Sequence, residues 1–155
     1  MSPPRPTPYL GPPRHRLRWF GQLQAAGTRP RVVRSRKTCR NTWAVSAFLN
    51  VPGAGAALRV LLCFPWDAPE AVRVYAEGPT DSPHRYADQS LCMWYPYDPP
   101  DRRWIRQDGP VVLVGHVIAH LAREQWWRRT GEWVGEQAPH VATRPARRVA
   151  WRRPS

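Results

Sequence analysis

The feature that most constrains the fold is a nearly continuous apolar run, ALRVLLCF, at residues 57–64. Such a run, with little polar alternation, is typical of a strand that is buried on both faces. Apolar and polar residues alternate at 42–51 before it and at 71–76 after it, which is the pattern of half-buried strands. Short turns rich in proline and glycine connect these stretches and favour antiparallel neighbours. With a candidate first strand at 31–36, the sequence predicts an antiparallel meander of three to four strands.

Two helices flank this sheet in the sequence. Residues 14–26 predict a short helix that ends at Gly27, and residues 110–129 predict the major helix. Asp108 is placed to cap the major helix, and Gly131 follows where a helix end favours glycine. Helices packed on one side of an antiparallel sheet make an α+β fold, which is the fold class that we predict.

Apolar periodicity predicts the buried face of each element. The predicted stripe of the first helix comprises Leu17, Phe20, Leu23 and Gln24. The predicted core face of the strand at 42–51 comprises Trp43, Val45, Ala47 and Leu49, with Phe48 on the other face. The predicted apolar face of the major helix comprises Leu113, Val114, Val117, Ile118, Leu121 and Gln125.

The cysteine content and the absence of long apolar segments indicate in which cellular compartment the protein is expected. The three cysteines, Cys39, Cys63 and Cys92, are an odd number at irregular spacing. Cys63 lies within the most apolar stretch, and we interpret it as a small core residue. The sequence has no run of 18 apolar residues, and its N-terminus lacks the apolar segment of a secretory signal. We therefore expect a cytoplasmic protein with reduced thiols and no membrane association.

Basic charge is concentrated at the two ends of the chain. The formal net charge is +13, yet residues 41–140 hold nine basic residues against all eleven acidic ones. Residues 1–13 contain six prolines and predict a flexible arm, and residues 141–155 predict a basic, disordered tail. Such arms can bind nucleic acid through phosphate contacts. We favour solvated arms, because charge runs alone are weak evidence for a nucleic-acid partner.

The stretch that carries candidate chemistry is PHRYADQSLCMWYPY at residues 83–97. A polar, turn-forming run leads directly into Cys92, and His84 lies eight residues upstream. A thiol at the end of such a turn can be exposed, and its thiolate is a nucleophile. The alternative is that the residues around Cys92 form a packed strip in which the thiol has no chemical role.

Two other constellations compete with this interpretation. His116, His120 and Glu124 share one face of the major helix at a spacing that suits zinc. We favour the alternative that both histidines flank the apolar stripe as partly exposed residues. His140 could act as a base for Cys92 in a protease-like pair, but no Asn or Asp is evident to orient it. No P-loop, GxGxxG or CxxC motif is present, so we expect no cofactor and no metal.

Several motifs follow one another in a fixed order along the chain. They are PHxYx(4)LC at 83–92, a proline and aromatic cluster at 94–97, Trp104, TGEWxGE at 130–136 and APH at 138–140. With the predicted order of elements, this combination resembles the ubiquitin-conjugating-enzyme (UBC) fold. In detail it is similar to the bacterial relatives encoded in CBASS and related antiphage operons. The resemblance implies a UBC-like domain at 14–140, with a long loop that bears the reactive cysteine before the major helix.

The resemblance also implies roles for individual residues. Cys92 would accept a thioester from an activating enzyme, and His84 falls where the eukaryotic family has the His of its His-Pro-Asn motif. Here the order is Pro-His and no Asn follows, so the oxyanion-stabilising residue of that family has no counterpart. Tyr86 and His140 are the candidates to assist, and Trp104 is a supporting residue.

The implied partners are an activating enzyme and either a ubiquitin-like protein or a nucleotidyltransferase target. The chain has no ATP-binding motif, so the activating enzyme must be a separate protein. Two other functions remain open from the sequence. One is a catalytically silent UBC-like adaptor, and the other is a nucleic-acid-binding protein that acts through its basic arms.

Overall fold

The computed structural model describes residues 13–34, 42–65, 71–78, 80–95 and 97–135. The helices and strands in chain order are α1 (Pro13–Ala25), β1 (Arg31–Val33), β2 (Thr42–Leu49), β3 (Leu58–Pro65), β4 (Arg73–Ala76) and α2 (Gly109–Thr130). Two single 3₁₀ turns, Pro100–Arg102 and Arg106–Asp108, lie in the loop before α2. This arrangement of two helices and one sheet confirms the predicted α+β class.

The four strands form one antiparallel sheet in the order β1-β2-β3-β4. Each strand pairs with its neighbour in sequence, so the predicted meander is confirmed. Strand β2 lies between β1 and β3, with Val45 opposite Leu62 and Ala44 opposite Cys63. Because side chains alternate along a strand, these two pairs point to opposite faces of the sheet.

The main core lies between one face of the sheet and the two helices. The four residues of β2 that were predicted to face it are all buried, and so are Leu62 and Phe64 on β3. Cys63 is 2% exposed and packs with Ala44 in a smaller cluster on the opposite face. The interpretation of Cys63 as a core residue is therefore confirmed.

Helix α1 contacts the core through a different stripe from the one predicted. Leu23 is fully buried, but Leu17 is 73% exposed and Gln24 faces solvent. The residue that packs beside Leu23 is Trp19, whose ring lies 5.4 Å from that of Phe64 and 6.0 Å from that of Trp104. Residues four apart share a helix face, and the indole covers more apolar surface than the leucine would.

Helix α2 begins and ends close to the predicted residues. Asp108 does not cap it through its side chain; its carboxylate instead accepts the Ile105 N–H at 2.9 Å and closes the preceding 3₁₀ turn. The predicted capping role of Asp108 is therefore wrong. At the other end Gly131 has φ 78° and its N–H donates to Trp127 O at 2.7 Å, which is the predicted left-handed helix end.

The loop before α2 is packed onto the body through its tryptophans. Trp104 is fully buried, and its Nε1–H donates to Gly109 O at 2.7 Å where α2 begins. Trp94 packs against the core and against the ring of His116, at 5.4 Å. No helix in the part of the chain that the structure describes is long and apolar enough to cross a membrane.

Candidate functional site

Cys92 ends a small hairpin formed by residues 84–92, which we call the Cys92 hairpin. The N–H of Tyr86 donates to Ser90 O, and the N–H of Cys92 donates to His84 O, both at 2.9 Å. These two bonds are the rungs of a short antiparallel ladder. Backbone hydrogen bonds therefore place the cysteine directly opposite the histidine.

The polar run before the cysteine forms the turn of this hairpin, as predicted. The N–H of Gln89 donates to Tyr86 O at 2.8 Å, and Gln89 has φ 70°. The Asp88 carboxylate accepts hydrogen bonds from the N–H and the hydroxyl of Ser90, at 3.0 and 2.6 Å. Burial alone would raise the pKa of Asp88, but the bonds from Ser90 and the charge of Arg73 outweigh it and lower that pKa. Asp88 is therefore an ionised residue that stabilises the turn.

The hairpin is attached to the edge of the sheet at β4. The N–H of Leu91 donates to Val74 O at 2.8 Å. Arg73 forms an ion pair with Asp88, and the Tyr75 hydroxyl donates to the same carboxylate at 3.3 Å. Because the hairpin continues the hydrogen bonding of β4, the position of the cysteine is linked to the sheet as well as to its own turn.

A buried ion pair joins the hairpin to α2. Arg85 donates to both carboxylate oxygens of Glu124, with its closest contact at 2.9 Å, and the two side chains are 3% and 1% exposed. Arg85 also donates to Ala76 O at 2.8 Å, and Arg128 adds a contact to Glu124 at 3.1 Å. A Cβ at Gly78 would lie 2.5 Å from the guanidinium of Arg128 and 2.7 Å from that of Arg85, so an alanine there would displace these groups and would also adopt a strained φ of 154°.

A second connection to α2 consists of three aromatic rings packed at tilted angles. The ring of His84 lies 4.1 Å from that of Trp133, and the ring of His120 lies 5.2 Å from the same indole. His120 is 3% exposed and hydrogen-bonds to the His84 backbone. Burial, followed by the charges of His84 and nearby arginines, lowers the pKa of His120 to about 3, so the ring is neutral. The expectation that His120 is partly exposed is therefore wrong.

The TGEW motif positions the packed tryptophan. Gly131 ends α2 in the left-handed conformation, and the N–H of Glu132 donates to the Thr130 hydroxyl at 3.1 Å. The chain thereby reverses direction, and Trp133 lies over the two imidazoles. Trp133 thus anchors this segment to the hairpin and to α2. We call the Arg85–Glu124 ion pair and the packed rings of His84, Trp133 and His120 together the α2 clamp.

Tyr86 lies beside the thiol. The two residues are diagonal neighbours on one face of the hairpin, and Cys92 is partly exposed. Burial raises the pKa of Tyr86 first, and the hydrogen bond to Cys92 and the negative charge of its thiolate raise it further. The phenol therefore stays protonated and available as a hydrogen-bond donor near neutral pH.

The structure brings together three of the five predicted site residues. His84, Tyr86 and Cys92 meet in the hairpin, whereas Trp104 lies in the core against Trp19 and Phe64. His140 lies outside the described residues, as do residues 1–12 and 141–155 of the two arms. Predictions about His140 and the arms stay predictions.

The candidate zinc residues have other partners. Glu124 is bonded to two arginines, and His116 lies against Trp94. Within the described ranges, no group of three or more His, Cys, Asp or Glu side chains could hold a metal ion. The face shared by these residues on α2 therefore serves the packing of the hairpin.

Sequence reasoning missed the α2 clamp, although a signal for it was present. Glu124 occurs one turn after the core residues His120 and Leu121, and this spacing puts it on the buried face of α2. A buried carboxylate requires a basic partner. Arg85, inside the PHRY motif, was the arginine closest in sequence to the candidate thiol on the N-terminal side.

Residues 67–141 match the family model described as Type II CBASS E2 protein. The matched segment contains β4, the Cys92 hairpin, α2 and the TGEW turn. No curated protein and no solved structure matches the chain significantly. The match confirms the resemblance that the ordered motifs predicted, and it covers about half of the chain. Over residues 67–141 the chain is similar to the CBASS E2 family.

Proposed function

We propose that the protein is a thioester carrier with a UBC-like domain at residues 14–140. Cys92 accepts an acyl group from an activating enzyme and passes it to an amine on a target. The observation that supports this most is the placement of Cys92: a partly exposed thiol at the end of a hydrogen-bonded hairpin, inside the segment that matches the family.

The family match indicates a ubiquitin-conjugating-like role in antiphage defence. It also implies interaction with other CBASS proteins. We propose that these are an activating enzyme and either a ubiquitin-like protein or a nucleotidyltransferase that is the target. The acyl group is then the C-terminal carbonyl of the carried protein.

The geometry suits thioester exchange because this chemistry makes modest demands. A thiolate is a good leaving group, so little acid–base assistance is required. What the protein must provide is a fixed position for the thioester and stabilisation of the charge that develops on its oxygen. The hairpin, held by β4 and the α2 clamp, fixes the position of Cys92.

His84 acts in this proposal as a shaping residue. Its ring is 6% exposed and packed on Trp133, and its carbonyl accepts the Cys92 N–H. A ring held in this way orients the hairpin backbone that carries Cys92.

The direct test is the formation of an adduct on Cys92. The purified protein is incubated with ATP and with the activating enzyme and carried protein from the same operon, and products are followed by non-reducing electrophoresis and intact mass. We expect an adduct that thiol reductants release. In Cys92→Ser the adduct becomes an oxygen ester that resists those reductants, and in Cys92→Ala it disappears.

Cys63→Ala and Cys39→Ala are the matched controls. Cys63 is buried in the sheet and Cys39 lies outside the described residues, and both variants should form the adduct as the unmodified protein does. An adduct that persists in Cys92→Ala contradicts the proposal. Full phage protection by Cys92→Ala would instead support the silent adaptor.

A further inference from the structure

We propose that Tyr86 is a catalytic residue of the transfer step: its hydroxyl donates a hydrogen bond to the thioester carbonyl oxygen on Cys92. This inference rests on the proposed function, since it assigns the oxyanion donor of that same site. The Asn that supplies this donor in the eukaryotic family has no counterpart in the motif of this chain.

The hairpin register places the phenol beside the thiol. Arg85 pairs with Leu91 across the hairpin, and both side chains point to one face of it. Because side chains alternate along a strand, the residues before and after each of them point to the opposite face. Tyr86 and Cys92 are diagonal neighbours on that face, which long side chains can bridge. Burial, and then its interactions with Cys92, raise the pKa of Tyr86, in keeping with this proximity.

Backbone hydrogen bonds fix this arrangement from both sides. The N–H of Tyr86 donates to Ser90 O, and the N–H of Cys92 donates to His84 O. Arg85, which lies between His84 and Tyr86, forms the buried ion pair with Glu124. The donor is thus held before the substrate arrives, which is the condition under which a hydrogen bond stabilises a transition state most. Tyr86 is 43% exposed, so a bound acyl group can approach it from solvent.

The step is balanced without any other reactant. When Cys92 carries the acyl group, the carbonyl oxygen lies two bonds from Sγ, within reach of the same hydroxyl. The amine nitrogen attacks the carbonyl carbon, a C–N bond forms and the π-electron pair moves to oxygen. The C=O bond then re-forms, the C–S bond breaks and the thiolate leaves with the bonding pair, while the amine loses a proton to water. Tyr86 keeps its proton throughout and only donates a hydrogen bond.

The test separates loading from transfer. The protein is loaded to completion on Cys92 by exchange with a short synthetic peptide thioester, the free donor is removed, and discharge to free lysine is followed by intact mass. We expect discharge of Tyr86→Phe to be about tenfold to a hundredfold slower than that of the unmodified protein. The loaded fraction at completion should be equal in both.

Tyr97→Phe is the matched control. Tyr97 is 83% exposed and its ring packs beside that of Tyr95, so loss of its hydroxyl should leave discharge unchanged. Thermal unfolding of Tyr86→Phe, compared with that of the unmodified protein, shows whether the variant is folded. Where it is not, replacement of Tyr86 by 3-fluorotyrosine keeps the ring and makes the phenol a stronger donor, and discharge should become faster.

The outcomes distinguish this inference from the function on which it rests. If the unmodified protein forms no thioester on Cys92, the proposed function fails. If it loads and discharges while Tyr86→Phe discharges at the same rate, the carrier function stands and the role of Tyr86 is overturned. An unchanged rate with 3-fluorotyrosine overturns it equally.

Discussion

The residues of the Cys92 hairpin fall into two groups that differ in what holds them. The first group, His84 and Arg85, which we call the buried side, packs on Trp133 or is bonded to Glu124 of α2. The second group, Tyr86, Asp88 and Cys92, which we call the open side, faces or approaches solvent. The buried side therefore fixes the position of the hairpin and the open side presents its chemistry, so substitutions in the two groups should have separable effects.

The buried side depends on charge compensation. An arginine and a glutamate that are both nearly inaccessible have lost most of their hydration, and their mutual hydrogen bonds replace it. Such a pair contributes little net stability relative to apolar residues, but removal of one partner is costly. The α2 clamp is thus a device that specifies where the hairpin lies.

The largest effect is expected from Glu124→Gln. The change leaves Arg85 as a buried, uncompensated cation, and we expect the free energy of unfolding to fall by about 3–5 kcal/mol. Urea denaturation measures this, and alkylation of Cys92 should become faster because the hairpin is released. Glu132→Gln, at an exposed position, is the control and should change stability little. If Glu124→Gln and Glu132→Gln had equal unfolding free energies, the Arg85–Glu124 pair would not anchor the hairpin.

Gly78→Ala tests the close approach beside the same ion pair. Gly78 has φ 154°, and an added Cβ meets Arg128 and Arg85 at less than 3 Å. We expect a loss of about 1–3 kcal/mol in unfolding free energy, measured by urea denaturation. Gly115→Ala is the matched control: it lies in α2 with open space around it, and it should stabilise the protein by up to about 1 kcal/mol. A neutral Gly78→Ala would argue against tight packing at this point.

The pH dependence of stability tests the packed rings. The folded pKa of His120 is lowered to about 3, whereas an unfolded histidine titrates near 6.5. Below about pH 6.5 the unfolded chain binds a proton that the folded protein excludes, so stability falls as the pH falls toward 3. Between about pH 7.5 and 5.5, the unmodified protein should lose about 1 kcal/mol more than His120→Gln. Identical losses would mean that His120 titrates normally when folded.

The smallest effect is expected on the open side, from Asp88→Asn. Asp88 is paired with Arg73 at the surface, where both side chains are more than a third exposed. Exposed ion pairs contribute little, so we expect the free energy of unfolding to fall by less than about 1 kcal/mol in urea denaturation. If Asp88→Asn lowered the free energy of unfolding as much as Glu124→Gln, the hairpin would be anchored through Asp88 and not mainly through the α2 clamp.

Local patterns predicted most elements correctly because their causes are local. The apolar run and its alternating neighbours predicted the meander, and Gly131 predicted the end of α2. Where several apolar residues competed for one face, as with Leu17 and Trp19 on α1, the choice depended on what the helix packs against. The class α+β is confirmed, while the UBC-like details of the fold stay a prediction.

The sequence by itself determined the strands, the helices, the polar turn that ends at Cys92 and the resemblance carried by the ordered motifs. Only the tertiary structure decided that Arg85 pairs with Glu124, that Trp133 packs against two imidazoles and that Tyr86 shares a hairpin face with the thiol. The reason is physical: backbone preferences and apolar periodicity act over a few residues, whereas these contacts join residues up to about fifty positions apart. Their partners become defined only when the hairpin packs on α2 and water is excluded from the charges between them.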